Sequence, residues 1–115
     1  MKILYKNTAA KKQFSSEYTK KWKYPDAVKK KLVSIENFII NADSFLDLLK
    51  YPGYHLHTLE SDRNGEWALN VGKTGYRVTL IPCDMNGNEL LSGDIVSQCK
   101  SIKIVLVTGV SNHYE

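Results

Sequence analysis

Trp67-Ala68-Leu69-Asn70-Val71 and Tyr76-Arg77-Val78-Thr79-Leu80-Ile81, separated by Gly72-Lys73-Thr74-Gly75, decide the fold. In the first stretch Trp67, Leu69 and Val71 alternate with Ala68 and Asn70, the two-residue period of a strand with one buried face. The second is dense in β-branched and aromatic residues, which suit a pleated surface. A short break with glycine at both ends joins them, so the two strands are expected to pair antiparallel through a tight turn. Upstream, His55, His57 and Leu59 alternate with Leu56 and Thr58. Downstream, Lys103-Ile104-Val105-Leu106-Val107-Thr108 is the most strand-prone stretch of the chain. Further turns are expected at Asp62-Arg63-Asn64-Gly65, Asp84-Met85-Asn86-Gly87 and Ser92-Gly93-Asp94, with 84–100 a long connection before the last strand.

The N-terminal half has a different period. After a short strand around Ile3 and Tyr5, Thr8 suits a helix N-cap, and Ala10, Phe14, Tyr18 and Trp22 recur at helical spacing. Tyr24-Pro25-Asp26 ends that segment, because the residue before proline is pushed out of the helical region. Val28, Leu32, Ile35 and Ile39 form the apolar stripe of a second helix, with Lys29, Lys30 and Lys31 beside it in water. Asn41-Ala42-Asp43-Ser44 reads as a stop and a new N-cap. A short third helix through Phe45, Leu46, Leu48 and Leu49 is then ended by Tyr51-Pro52-Gly53. The expected architecture is α+β: a single domain over 1–115, with an N-terminal helical hairpin packed on one face of a twisted antiparallel sheet. The other face is left free to hold a site.

A chain of 115 residues suits one core. With 43% hydrophobic and 24% charged residues it has the composition of a folded domain rather than a disordered one. The longest uncharged run, Ile104–Tyr114, falls well short of the roughly 18 apolar residues of a membrane span. Met1-Lys2-Ile3-Leu4-Tyr5-Lys6 is charged too early for a signal peptide, so a cytoplasmic protein is expected, with Cys83 and Cys99 reduced and buried. Two cysteines exclude a four-cysteine zinc site, and there is no CxxC. The net charge of +4 is uneven: residues 1–50 carry eleven lysines against five acids, and residues 51–115 carry five cations against seven acids. Basicity concentrated in one half points to an anionic partner, nucleic acid first.

No P-loop, dinucleotide fingerprint, HExxH or GxSxG is present. His55 and His57 stand two apart and would share a strand face. A metal site needs a third ligand, and His113 is the only other histidine, so no metal is assigned. Arg77 sits inside an otherwise apolar strand, where an arginine either lies on the solvated face or reaches an anion. Asn112-His113-Tyr114 follows the strongest strand. It reads either as a proton-transfer and base-stacking group or as a frayed end.

The run Leu56-His57-Thr58-Leu59-Glu60-Ser61-Asp62-Arg63-Asn64-Gly65-Glu66-Trp67, then Tyr76-Arg77-Val78, then Val110-Ser111-Asn112-His113-Tyr114, resembles the HigB branch of the RelE/ParE toxin superfamily. In that branch a leucine-rich stretch ending in aspartate-arginine precedes an aromatic strand. An aromatic–arginine pair opens the next strand, and the last strand ends in a histidine/tyrosine group. The likeness spans nearly the whole chain. It implies a RelE-like fold and the toxin of a type II toxin–antitoxin system, a ribosome-dependent endoribonuclease (mRNA interferase). Such an enzyme cuts translated messenger RNA by metal-independent attack of the ribose 2′-hydroxyl, with no cofactor. The implied partners are the ribosome with its message and a HigA-like helix-turn-helix antitoxin, in a heterotetramer that binds operator DNA through the antitoxin.

Carried onto this chain, the resemblance gives Arg77 the phosphate, Arg63 the RNA backbone, and His113 and Tyr114 proton transfer and stacking. It places His57, Lys73, Trp67 and Asn112 among the RNA contacts, although for Trp67 a core ring is the stronger reading. The N-terminal lysines would meet ribosomal RNA phosphate. Where relatives often have lysine-glycine before aspartate-arginine, this chain has Glu60-Ser61, which either moves that cation's role to Lys73 or an N-terminal lysine or weakens the cleavage reading. Two rivals stand beside this reading: a ParE-like inhibitor of gyrase, and a catalytically degenerate module that binds only its antitoxin.

Overall fold

The computed structural model describes residues 1–59 and 65–112. Along the chain, β1 (Lys2–Tyr5), α1 (Thr8–Phe14), a 3-10 segment (Ser16–Lys21), α2 (Asp26–Asn41), α3 (Phe45–Lys50) and a second 3-10 segment (Pro52–Tyr54) come first. They precede β2 (His57–Thr58), β3 (Trp67–Asn70), β4 (Tyr76–Cys83), α4 (Ile95–Gln98) and β5 (Ile104–Asn112). The strands make one open sheet in the order β1-β5-β4-β3-β2. The hairpin read from Trp67–Ile81 is present as expected, with Leu69 opposite Val78 and Asn70 opposite Arg77.

The fold class is α+β, but the expected antiparallel sheet is mixed. β2, β3, β4 and β5 pair antiparallel in turn, whereas β1 lies parallel to β5, with Ile3 opposite Val105 and Tyr5 opposite Val107. The physical reason is connectivity. The first and last strands share no short turn, so nothing forces them antiparallel. Thr79 pairs with Gly109 and Leu80 with Val107, so Thr108 is one residue extra, a bulge in β5.

One sheet face carries Leu69, Val78, Leu80, Val105 and Val107 and packs on the helical half. The stripe of α2 is buried as its spacing requires, with Val28, Leu32, Ile35 and Ile39 all buried. Phe14, Phe45 and Leu48 complete the core. Cys83 and Cys99 are free and buried within the fold. Burial, and after it the nearby Glu89 and Asp84, push the Cys83 thiol up, which keeps it protonated and unreactive. The opposite face is not wholly free. Ile81, Cys83 and Ile104 are buried on it, and a Cβ on Gly87 would lie 3.3 Å from Leu4 Cδ1, so the Asp84–Gly87 turn folds back toward it. At the other end of that face the described residues Arg77, Asn70 and His57 stay partly exposed.

The first helix differs from its expected form. Its N-cap is Asn7, not Thr8: Asn7 Oδ1 accepts the Ala10 N–H at 2.8 Å. It stops at Phe14, and Ser15 is extended before the 3-10 segment. The apolar spacing continues to Trp22, but the carbonyls that a longer helix would use are taken by side chains. Trp22 Nε1–H donates to Lys12 O at 2.8 Å and the Tyr24 hydroxyl to Gln13 O at 3.0 Å. Buried Glu36 of α2 accepts the Ser16 N–H at 3.1 Å. Ser44 precedes α3 in an extended conformation, yet its side chain makes no capping bond; Asp47 instead accepts the Asp43 N–H at 2.7 Å. The Met1 ammonium donates to Ile39 O, Ile40 O and Ala42 O, at the end of a helix with no basic residue in its last turn. Among the described residues no helix is long and apolar enough to cross a membrane.

Candidate nucleic-acid cleft

The open end of the sheet is built by the turn between β3 and β4. The Val71 N–H donates to Tyr76 O at 3.0 Å and closes the hairpin. Thr74 organises the turn inside it: its hydroxyl donates to Val71 O at 2.6 Å and accepts the Tyr76 N–H at 3.2 Å. Gly72 (φ 55) and Gly75 (φ 87) supply the left-handed backbone that this tight return needs. Gly72 is also open for a second reason. A Cβ there would meet Lys31 Cδ and Cε at 2.8 Å, so the end of the Lys31 side chain lies across the turn.

Strand register then sorts the side chains. His57 is opposite Ala68, Ala68 opposite Thr79, Asn70 opposite Arg77 and Arg77 opposite Ser111. Paired residues share a face, so His57, Asn70, Arg77 and Ser111 all stand on the face away from the main core. Arg77 Nε donates to Ser111 Oγ at 3.4 Å. With Lys73 from the turn, and with His55, Gly72, Gly75 and Tyr76, the residues His57, Asn70 and Arg77 line a cleft of about 450 Å³. Among the described residues no carboxylate lines it. Three residues singled out from the sequence, His57, Lys73 and Arg77, therefore meet in one place although they come from three separate segments.

His57 has a defined tautomer when neutral. Its Nδ1 lies 2.7 Å from His55 O, and a carbonyl can only accept, so Nδ1 carries the proton and Nε2 is the basic nitrogen. The carbonyl is presented by His55 itself, which adopts the left-handed conformation at φ 44, ψ 49. The two imidazoles lie 5.0 Å apart, tilted at 43°. Among the described residues no three His, Cys, Asp or Glu side chains gather as a metal site.

The other expected site residues fall elsewhere. Trp67 is a core ring, 7% exposed, packed edge-on against Phe45 at 5.3 Å, and its partner Leu80 lies on the face opposite Arg77. It is no stacking platform for this cleft. Asn112, the last residue of β5, pairs with Tyr76 and lines an adjoining cleft rather than this one. Arg63, His113 and Tyr114, together with the departure at Glu60-Ser61, lie outside the described residues. Sequence reading passed over Asn70 and Tyr76 as site residues, although the first alternates out of the core and the second opens the arginine strand. A larger groove of about 640 Å³ between α2 and α3 holds Phe38, Tyr51 and Tyr54 and none of the residues singled out. No protein-family model matches this chain, and no curated protein matches it.

Proposed function

We propose that this protein is an endoribonuclease toxin of the HigB kind, which cuts messenger RNA on the ribosome and is neutralised by a helix-turn-helix antitoxin. The observation that carries the reading is the cleft in which Arg77, Lys73 and His57 converge, with no carboxylate among its described lining residues. Cleavage through the ribose 2′-hydroxyl needs a base for one proton, cations for the charge that gathers on phosphorus, and an acid for the leaving oxygen. Each need has a candidate. Nε2 of His57 takes the 2′-hydroxyl proton. The 2′-oxygen then forms a bond to phosphorus, with Arg77 and Lys73 facing the non-bridging oxygens. The bond from phosphorus to the 5′-oxygen breaks, and that oxygen leaves with a proton from the terminal His113/Tyr114 group. The products are a 2′,3′-cyclic phosphate and a 5′-hydroxyl, with no change of oxidation state.

The test is induction of this chain in bacteria with 5′ ends of messenger RNA mapped on translating ribosomes. New cuts inside translated messages are expected. They should fall by about 10²–10³ in Arg77→Ala, the usual effect of deleting one charge-stabilising group from a phosphoryl or acyl transfer site. Antitoxin capture should survive in that variant. Growth arrest with intact messages would instead point to gyrase. No arrest at all would leave a module that binds only its antitoxin.

A further inference from the structure

A second cationic cleft adjoins the first. It measures about 480 Å³ and lies where β4 begins and β5 ends, roofed by the 3-10 segment and its exit. Lys12, Lys21 and Lys23 line it, along with Trp22, Tyr24 and Tyr76. Among the described residues no acidic one lines it. All three lysines are exposed, and among the described residues no carboxylate pairs with them, whereas neighbouring Lys11 is held by Glu17 at 3.2 Å. Three unpaired ammonium groups on one small concave surface repel each other and stay uncompensated unless an anion enters.

Their setting is rigid. The Trp22 indole and the Tyr24 hydroxyl are both bonded to the end of α1. The Tyr24 ring meets Trp22 at 5.7 Å and Tyr76 edge-on at 5.6 Å. Tyr76 is also a wall of the Arg77 cleft, and Ser111, which accepts from Arg77 Nε, lines the lysine cleft. The two clefts are thus neighbours across one ring and one hydrogen bond. A strand of phosphates lying across both clefts would meet Arg77 in one and the lysines in the other.

We infer that the Lys12/Lys21/Lys23 cleft binds the phosphates of the RNA strand flanking the bond to be cut, as a sequence-independent subsite of the Arg77 cleft. The inference rests on the RNA-cutting reading above. Lysine suits this role because it meets phosphate as a mobile point charge and reads no base. Each phosphate neutralised on a single strand contributes about 0.7 to the slope of log affinity against log salt.

The probe is a fluorescent single-stranded RNA 10-mer, fully 2′-O-methylated so that it cannot be cut, titrated by anisotropy at several salt concentrations. Lys21→Glu/Lys23→Glu is compared with Lys29→Glu/Lys30→Glu, the same charge change on α2 outside the cleft. The cleft variant should lose tenfold or more in affinity, and its salt slope should flatten by about 1.4 for two lost contacts. The α2 variant should lose less than threefold. Equal losses in both variants would mean diffuse attraction, and no loss in either would mean an idle cleft; each overturns the inference. Weaker sedimentation with ribosomes but unchanged 10-mer binding would assign the lysines to ribosomal RNA and overturn it as well. Lost antitoxin capture with intact RNA binding would make the cleft a protein interface. Arg77→Ala separates the two readings. If it still cuts messages while the lysine variant fails to hold RNA, the role given to Arg77 falls and the phosphate site stands. If it abolishes cutting while the lysine variant binds normally, the reverse holds.

Discussion

Gln13 substitutes for a missing strand, and removing its amide should be felt at the candidate site. β1 pairs with β5 only as far as Tyr5 opposite Val107. Beyond that point no strand among the described residues borders this edge of β5, and the Gln13 amide oxygen accepts the Val110 N–H at 2.9 Å. The fit is close, since a Cβ on Gly109 would lie 3.0 Å from the same oxygen. Gln13→Leu keeps the bulk and removes the acceptor. An orphaned backbone donor costs about 1–3 kcal/mol when buried. Val110 is half-buried, so water relieves part of this, and about 1–1.5 kcal/mol is the expected loss. For 115 residues at about 2.1 cal/mol/K each, the entropy of unfolding is about 240 cal/mol/K, which converts the loss into a Tm about 4–6 °C lower. Amide exchange should show Val110 losing protection while Val105, inside the paired sheet, keeps its own. Gln13→Glu, which retains an acceptor, should stay close to wild type in both measurements. A Leu variant with unchanged Tm and a protected Val110 amide would refute the reasoning, because another group would then be satisfying the edge.

Two further outcomes follow from single groups. Asn7→Ala removes the side-chain acceptor for the Ala10 N–H and should lower stability by about 1 kcal/mol in urea unfolding, whereas Thr8→Ala should change it little. Burial, and then Tyr51, push the Tyr54 phenol up to about 12; burial, and then Tyr76, do the same for Tyr24. A phenol in the unfolded chain ionises near pH 10. The folded state therefore holds these protons longer, and their stabilisation is complete below about pH 10 and lost as pH rises toward 12. Denaturant midpoints should fall steeply across that window, and Tyr54→Phe should flatten the fall; an unchanged slope in Tyr54→Phe would show that its phenol is not the group responsible.

The sheet was legible where side-chain alternation and turn chemistry agreed. Trp67–Ile81 carries both signals, and the hairpin forms in the register that the alternation requires. The direction of β1 was not legible, because Lys2–Tyr5 reads as a strand whichever neighbour it joins and long-range pairing leaves no mark on four residues. The first helix misled for a more specific reason. Phe14, Tyr18 and Trp22 keep helical spacing, but spacing does not tell whether a backbone N–H four residues on or an indole N–H ten residues on takes a given carbonyl. In this chain Trp22 takes Lys12 O and the backbone is released into a tighter turn. The whole 84–100 segment read as a connection, and α4 within it is too short for any period to show.

The candidate site was legible to the extent that it is made of cations. Arg77 stood out as a charge in an apolar strand, where an arginine either lies on the solvated face or reaches an anion, and Lys73 entered through the resemblance as a cation in the turn beside it. Register did the rest: His57 shares the face of Arg77 because the one intervening strand, β3, pairs Ala68 with His57 on one side and with Thr79, two residues along from Arg77, on the other. The lysine cleft was illegible for the opposite reason. Lys12, Lys21 and Lys23 are three of eleven lysines in the first 50 residues, and nothing in their spacing sets them apart from Lys29, Lys30 and Lys31. The break at Ser15 turns the segment that follows α1, and so brings Lys21 and Lys23 back beside Lys12 and the end of β5. A helix running unbroken from Thr8 to Trp22 would carry Lys21 about 13 Å along its axis from Lys12. The departure from helical geometry that spoiled the sequence reading is thus what gathers the charge next to Arg77.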